Sequence, residues 1–98
     1  MASDHSSRAP APVLVTLPAA LVRLFPGAER QVEVSASSVS EAIDCLDSRW
    51  PGMRDRVCDS RPAIRRHINV FVDGRRATLE TRLGAGAEVT IMTAISGG

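Results

Sequence analysis

Between Ser38 and Trp50 the chain places Val39, Ala42, Ile43, Leu46 and Trp50 on one stripe at helical spacing, and Pro51-Gly52 stops the run. Ser38 and Glu41 stand at capping-box spacing. The Ser38 hydroxyl can accept from the Glu41 backbone N–H, while the Glu41 carboxylate reaches back to the Ser38 N–H. The pattern predicts one amphipathic helix over 39–49, with Cys45 at its flank. A lone helix with one apolar stripe must pack on something that presents an apolar face, and the flanking segments supply it.

Those segments alternate like strands. Val13-Leu14-Val15-Thr16-Leu17 puts Val13, Val15 and Leu17 on one face, and Gln31-Val32-Glu33-Val34 reads as its hairpin partner. Ala19 to Phe25, closed by Pro26-Gly27, reads as a long, partly apolar loop between them. Met53 to Cys58 reads as a further short turn of helix. Ile68-Asn69-Val70-Phe71-Val72 is a third strand, followed by Asp73-Gly74, the dipeptide of a type I′ hairpin turn. A short fourth strand is expected around Arg76-Ala77-Thr78, a turn-rich crossing from Leu79 to Glu88, and a last strand over 89–94. The order β-β-α-β-β-β, with the helix laid across a single mixed sheet, is the α+β, ubiquitin-like β-grasp arrangement. Residues 1–11, polar and without a period, read as a disordered leader to a domain over 12–94.

Composition narrows what such a domain can do. The 98 residues allow one domain, and the aromatics are only Phe25, Trp50 and Phe71, so the core is aliphatic. A formal net charge of +1 gives no bulk attraction to nucleic acid. The basic residues are twelve arginines with no lysine, which excludes lysine-linked polymers of the chain itself. The apolar runs are too short to span a membrane and no signal-peptide pattern opens the chain, so a cytoplasmic location is expected. Cys45 and Cys58 lack C-x-x-C spacing and read as ordinary small residues; His5 and His67 have no partners at ligand spacing, so no metal is expected. Asp44 and Asp47 fall on the exposed side of the helix. No serine has a placed base, so the chain is read as a partner of enzymes rather than as one.

The chain ends Ile95-Ser96-Gly97-Gly98. Two glycines add nothing to a core and lose the most entropy on ordering. One reading is a frayed, inert end. The other is chemical: four extended residues reach roughly 13–14 Å, the last two can enter a channel too narrow for side chains, and the Gly98 carboxylate arrives at its bottom. Attack on ATP would make it an acyl donor. A sulfur nucleophile then gives a thiocarboxylate, whereas an amine gives an amide to another protein.

With this element order, Asn69 to Gly74, Gly86 to Ile91 and terminal Ala94-Ile95-Ser96-Gly97-Gly98, the chain resembles the ThiS/MoaD family of β-grasp sulfur carriers over residues 13–98. The insert Arg49 to Val57 is similar to that of the molybdopterin-synthase small subunit and the cysteine-biosynthesis carrier. Two positions depart from the pattern: Ala85-Gly86-Ala87-Glu88 keeps only the glycine and glutamate of the usual acidic turn, and Thr93 stands where proline is favoured. The resemblance implies that Gly98 is adenylated by a ubiquitin-activating-like enzyme using ATP, with no cofactor bound by the carrier itself. Thiocarboxylation and delivery of sulfur to a synthase follow, the acceptor leading to cysteine, molybdopterin, thiamine or a specialised metabolite. A metalloprotease that removes a product from the tail is a further implied partner. A ubiquitin-like modifier joined through Gly98, and a binding module with inert glycines, are the alternatives.

Threading Ile95, Ser96 and Gly97 costs entropy that the folded body must offset. If Val13, Val15, Leu17, Val70, Val72, Val89 and Ile91 face the core, alternation turns Leu14, Thr16, Phe71 and Met92 outward. With the last strand between the first and third, these four form one patch near the tail root. Arg76 is a candidate for the same interface. Arg75, Arg65 and Arg66 suit either acidic partner surfaces or a solvated rim.

Overall fold

The computed structural model describes residues 12–93. In chain order these form β1 (Pro12–Thr16), α1 (Ala19–Leu24), β2 (Gln31–Ser35), α2 (Val39–Arg49), α3 (Met53–Val57), β3 (Ile68–Val72), β4 (Arg75–Arg76) and β5 (Glu88–Thr93). All five strands join one sheet in the order β2-β1-β5-β3-β4. β5 runs parallel to β1 and antiparallel to β3, so the last strand does lie between the first and the third. The readings for residues 1–11 and 94–98 lie outside the described residues.

One face of the sheet makes the core. Val13, Val15, Val32, Val34, Val70, Val89 and Ile91 are each no more than 3% exposed. Against them lie Val39, Ala42, Ile43 and Leu46 of α2, all buried, which is the stripe that the helical spacing requires. Val72 is only half-buried, because it sits at the end of β3 where the hairpin turns away. Asp73 and Gly74 take φ of 50° and 85°, the paired left-handed conformations of a type I′ turn.

Four local expectations are corrected. The segment after Pro18 is not a loop but helix α1, with the Leu21 and Val22 N–H groups donating to the Pro18 carbonyl at 3.0 and 3.2 Å. Six residues are too few for a helical period to emerge from the sequence, yet buried Leu21 is enough to hold the turn against the core. β4 is limited to Arg75–Arg76 rather than extending to Thr78. The Ala77 N–H still bonds the Val70 carbonyl at 2.8 Å, and the chain then turns inward so that buried Leu79 joins the core. That path has a second effect: the Leu79 and Thr81 carbonyls accept from the N–H groups of Ser40 and Val39, two orphan donors at the start of α2.

The third correction concerns the cap. Ser38 Oγ accepts from the Glu41 N–H at 3.2 Å as expected. The Glu41 carboxylate, however, bonds one residue earlier, accepting from the Ser37 N–H at 2.8 Å and the Ser37 hydroxyl at 2.7 Å. Asp47 also differs from its reading as a simple surface residue. Its Oδ1 accepts from the Gly52 and Arg54 N–H groups at 3.1 and 2.9 Å, capping α3. Gly52 suits this position because its φ of 101° lies in the left-handed region that glycine adopts without strain.

Candidate docking face on the sheet

Strand register assembles the face opposite the helices. Cross-strand partners share a face, so the pairs Thr16↔Gln31, Thr16↔Thr90, Thr90↔Phe71 and Phe71↔Arg76 define one continuous row across all five strands. On one side of that row is Leu14, between Glu33 of β2 and Glu88 of β5. On the other side Met92 pairs with Asn69.

The five residues expected at this interface therefore share one face. Met92 is 48% exposed, Arg76 is exposed, and Leu14, Thr16 and Phe71 are half-buried by their neighbours on the face. Their burial is greater than simple alternation suggests, because the long side chains on adjacent strands cover one another. The Arg76 guanidinium is held in place by donation from Nη2 to Asn69 Oδ1 at 2.6 Å. Sequence reasoning missed Asn69; only the register reveals that it stands beside both Met92 and Arg76. Arg76 also borders a cavity of about 390 Å3 between the Pro62–Arg66 segment and Ala77–Glu80.

The arginines expected as one group separate. Arg75 pairs with Val72 beside the β3–β4 turn, whereas Arg66 and His67 lie just before Ile68, the residue paired with Thr93 at the end of β5. Arg65 is engaged in the fold, donating from Nε to the Asp55 carbonyl at 2.7 Å. Leu24 of α1, 50% exposed, is the other large exposed hydrophobic among the described residues. Sequence reasoning missed it because it read that segment as loop.

The thiols occupy structural positions. Cys45 is half-buried with its Sγ donating to the Ser35 carbonyl at 3.5 Å, and burial pushes the Cys58 thiol above its ordinary range. The described residues hold no group of three potential metal ligands, and none of their helices is long and apolar enough to cross a membrane. Gly98, Gly97, Ser96 and Ile95 lie outside the described residues.

Comparison with known proteins fits this geometry. The ThiS family model matches residues 15–98. The chain belongs to the ThiS family. It is 29% identical over 92 residues to the sulfur carrier protein CysO of Mycobacterium tuberculosis, covering 88% of this chain and 98% of the relative. CysO in the crystal structure of the Amycolatopsis orientalis BexX/CysO complex superposes with a TM-score of 0.76 at 32% identity, over 88% of this chain and 99% of that one. Small archaeal modifier protein 1 of Haloferax volcanii superposes with a TM-score of 0.76 at 28% identity, over 90% of this chain and all of that one. Those relatives are small sulfur carrier and modifier proteins, and the chain shares their ubiquitin-like β-grasp fold.

Proposed function

We propose that this ThiS-family chain carries sulfur on Gly98 for a small-molecule biosynthetic enzyme. The Gly98 carboxylate attacks the α-phosphorus of ATP on a ubiquitin-activating-like enzyme, and pyrophosphate leaves. A sulfide equivalent then attacks the acyl carbon and displaces AMP, forming the thiocarboxylate. Its nucleophilic sulfur passes to a synthase. Family membership across residues 15–98 carries this reading. The complex of the CysO relative with BexX supports a partner enzyme as the destination.

The energetics explain why a folded body is attached to such a tail. Ordering four residues in a channel costs roughly 4–8 kcal/mol. Full burial of Phe71 and Met92 would return about 1.5–3 kcal/mol each, but both are already partly covered, so about half of that remains. The apolar centre of the face therefore offsets only part of the cost. Leu14, Thr16 and the polar groups around them must contribute the rest.

Likeness to the archaeal modifier favours a second reading, a ubiquitin-like modifier joined to target amines through Gly98. Both readings share the adenylate and differ in the nucleophile that displaces AMP. Intact mass spectrometry after incubation with the cognate activating enzyme, ATP and a sulfur donor separates them. A carrier gains the sulfur-for-oxygen difference, whereas a modifier appears in larger covalent species. No change in mass would refute both.

A further inference from the structure

Charge on the sheet face is segregated along the strands. At the end where β5 begins, Glu33 and Glu88 flank Leu14, both exposed and neither in an ion pair among the described residues. Asp73 joins them, its Oδ1 accepting from the Glu88 N–H at 3.0 Å. Sheets more often set opposite charges on neighbouring strands, since like charges on one row repel. Arg76 springs from the central row opposite Phe71, but its guanidinium reaches to Asn69, the partner of Met92, and Arg66 and His67 precede β3 at the end where β5 finishes. From Glu88 to Met92 is four residues, about 13 Å along the strand. Phe71, Thr90 and Thr16 lie between the two poles.

We propose that this bipolar face sets the direction in which the carrier docks on its activating enzyme. The partner surface has an acidic rim at the mouth of the tail channel, where it meets the Arg76 guanidinium beside Asn69, and a basic patch toward the opposite end of the strands, where it meets Glu33 and Glu88. An apolar face alone lets the sheet lie either way round, and the reversed pose carries the tail away from the channel. Charge at both ends penalises that pose, because it sets like against like at each pole. The same charges speed encounter and supply the polar contribution that the half-buried apolar centre lacks.

This inference rests on the carrier reading, and one experiment distinguishes the two. ATP–pyrophosphate exchange is measured with the full chain and its cognate activating enzyme, at low and high salt. Variants are the pair Glu33→Arg with Glu88→Arg, the single Arg76→Glu, and Asp44→Arg on the exposed side of α2 as a control away from the face, with circular dichroism confirming that each is folded. Charge reversal at either pole should raise KM roughly fivefold to tenfold at low salt with kcat unchanged. The defect should shrink at high salt, and Asp44→Arg should match the parent. Exchange that the pole variants leave within twofold of the parent, or a defect equal for Asp44→Arg, overturns the bipolar docking while leaving the carrier reading intact. No exchange with the parent chain overturns both.

Discussion

Asn69 and Met92 face each other across β3 and β5, and the Asn69 side chain accepts from Arg76, so a fixed cation stands beside the most exposed apolar residue of the sheet face. That juxtaposition links the apolar centre of the face to its basic pole. Met92→Asp should fold normally, because the side chain is half exposed, and it should raise the KM for adenylation about tenfold. Thermal melting and pyrophosphate exchange on the same sample check both halves.

Removing Gly98 should leave the melting temperature unchanged and abolish the sulfur-dependent mass gain. Among the described residues the sheet ends with β5 at Thr93, and the core runs from Val13 to Ile91. A shift in melting of several degrees would mean that the residue packs on the domain.

Leu46 is fully buried at the meeting of α2 and the sheet. Leu46→Ala should destabilise the domain by about 2–5 kcal/mol, measured by urea denaturation, since it deletes buried methyl groups and leaves a cavity.

Asp59 gives the fold a specific acid sensitivity. Hydrogen bonds from the Arg61 side chain, then from its backbone, hold the Asp59 carboxyl at about 2 against an ordinary 3.8. A carboxyl lowered in the folded state adds stability above its unfolded value and loses it as pH falls through the folded one. The denaturation midpoint should therefore fall between about pH 4 and pH 2, and Asp59→Asn should flatten part of that slope. Glu41, lowered by its bonds from Ser37, acts in the same direction.

The two thiols should differ in reactivity. Cys58 is buried and its thiol is pushed up, mainly by that burial, whereas Cys45 is half-buried. Alkylation of the native protein near neutral pH should modify Cys45 first, with Cys58 following only on unfolding. Peptide mapping of the alkylated protein reads the order.

The sequence by itself determined the elements whose cause is local. Helix α2 follows from a stripe of apolar residues with a capping serine, the β3–β4 hairpin from Asp73-Gly74, and the core faces of β1, β2, β3 and β5 from alternation. The outward positions of Leu14, Thr16, Phe71 and Met92 came from the same alternation. Helix α1 was not legible, because one and a half turns carry no period and Leu21 is helical only by virtue of the core that it enters. The Glu41 bond to Ser37, the capping of α3 by Asp47 and the inward turn of Ala77 to Leu79 each depend on which neighbour the packed chain brings near. Register decided the rest. Only pairing between strands distant in sequence sets Glu33 and Glu88 on either side of Leu14, and Arg76 and Asn69 beside Met92. A period of two tells which face a residue takes, but not who stands next to it.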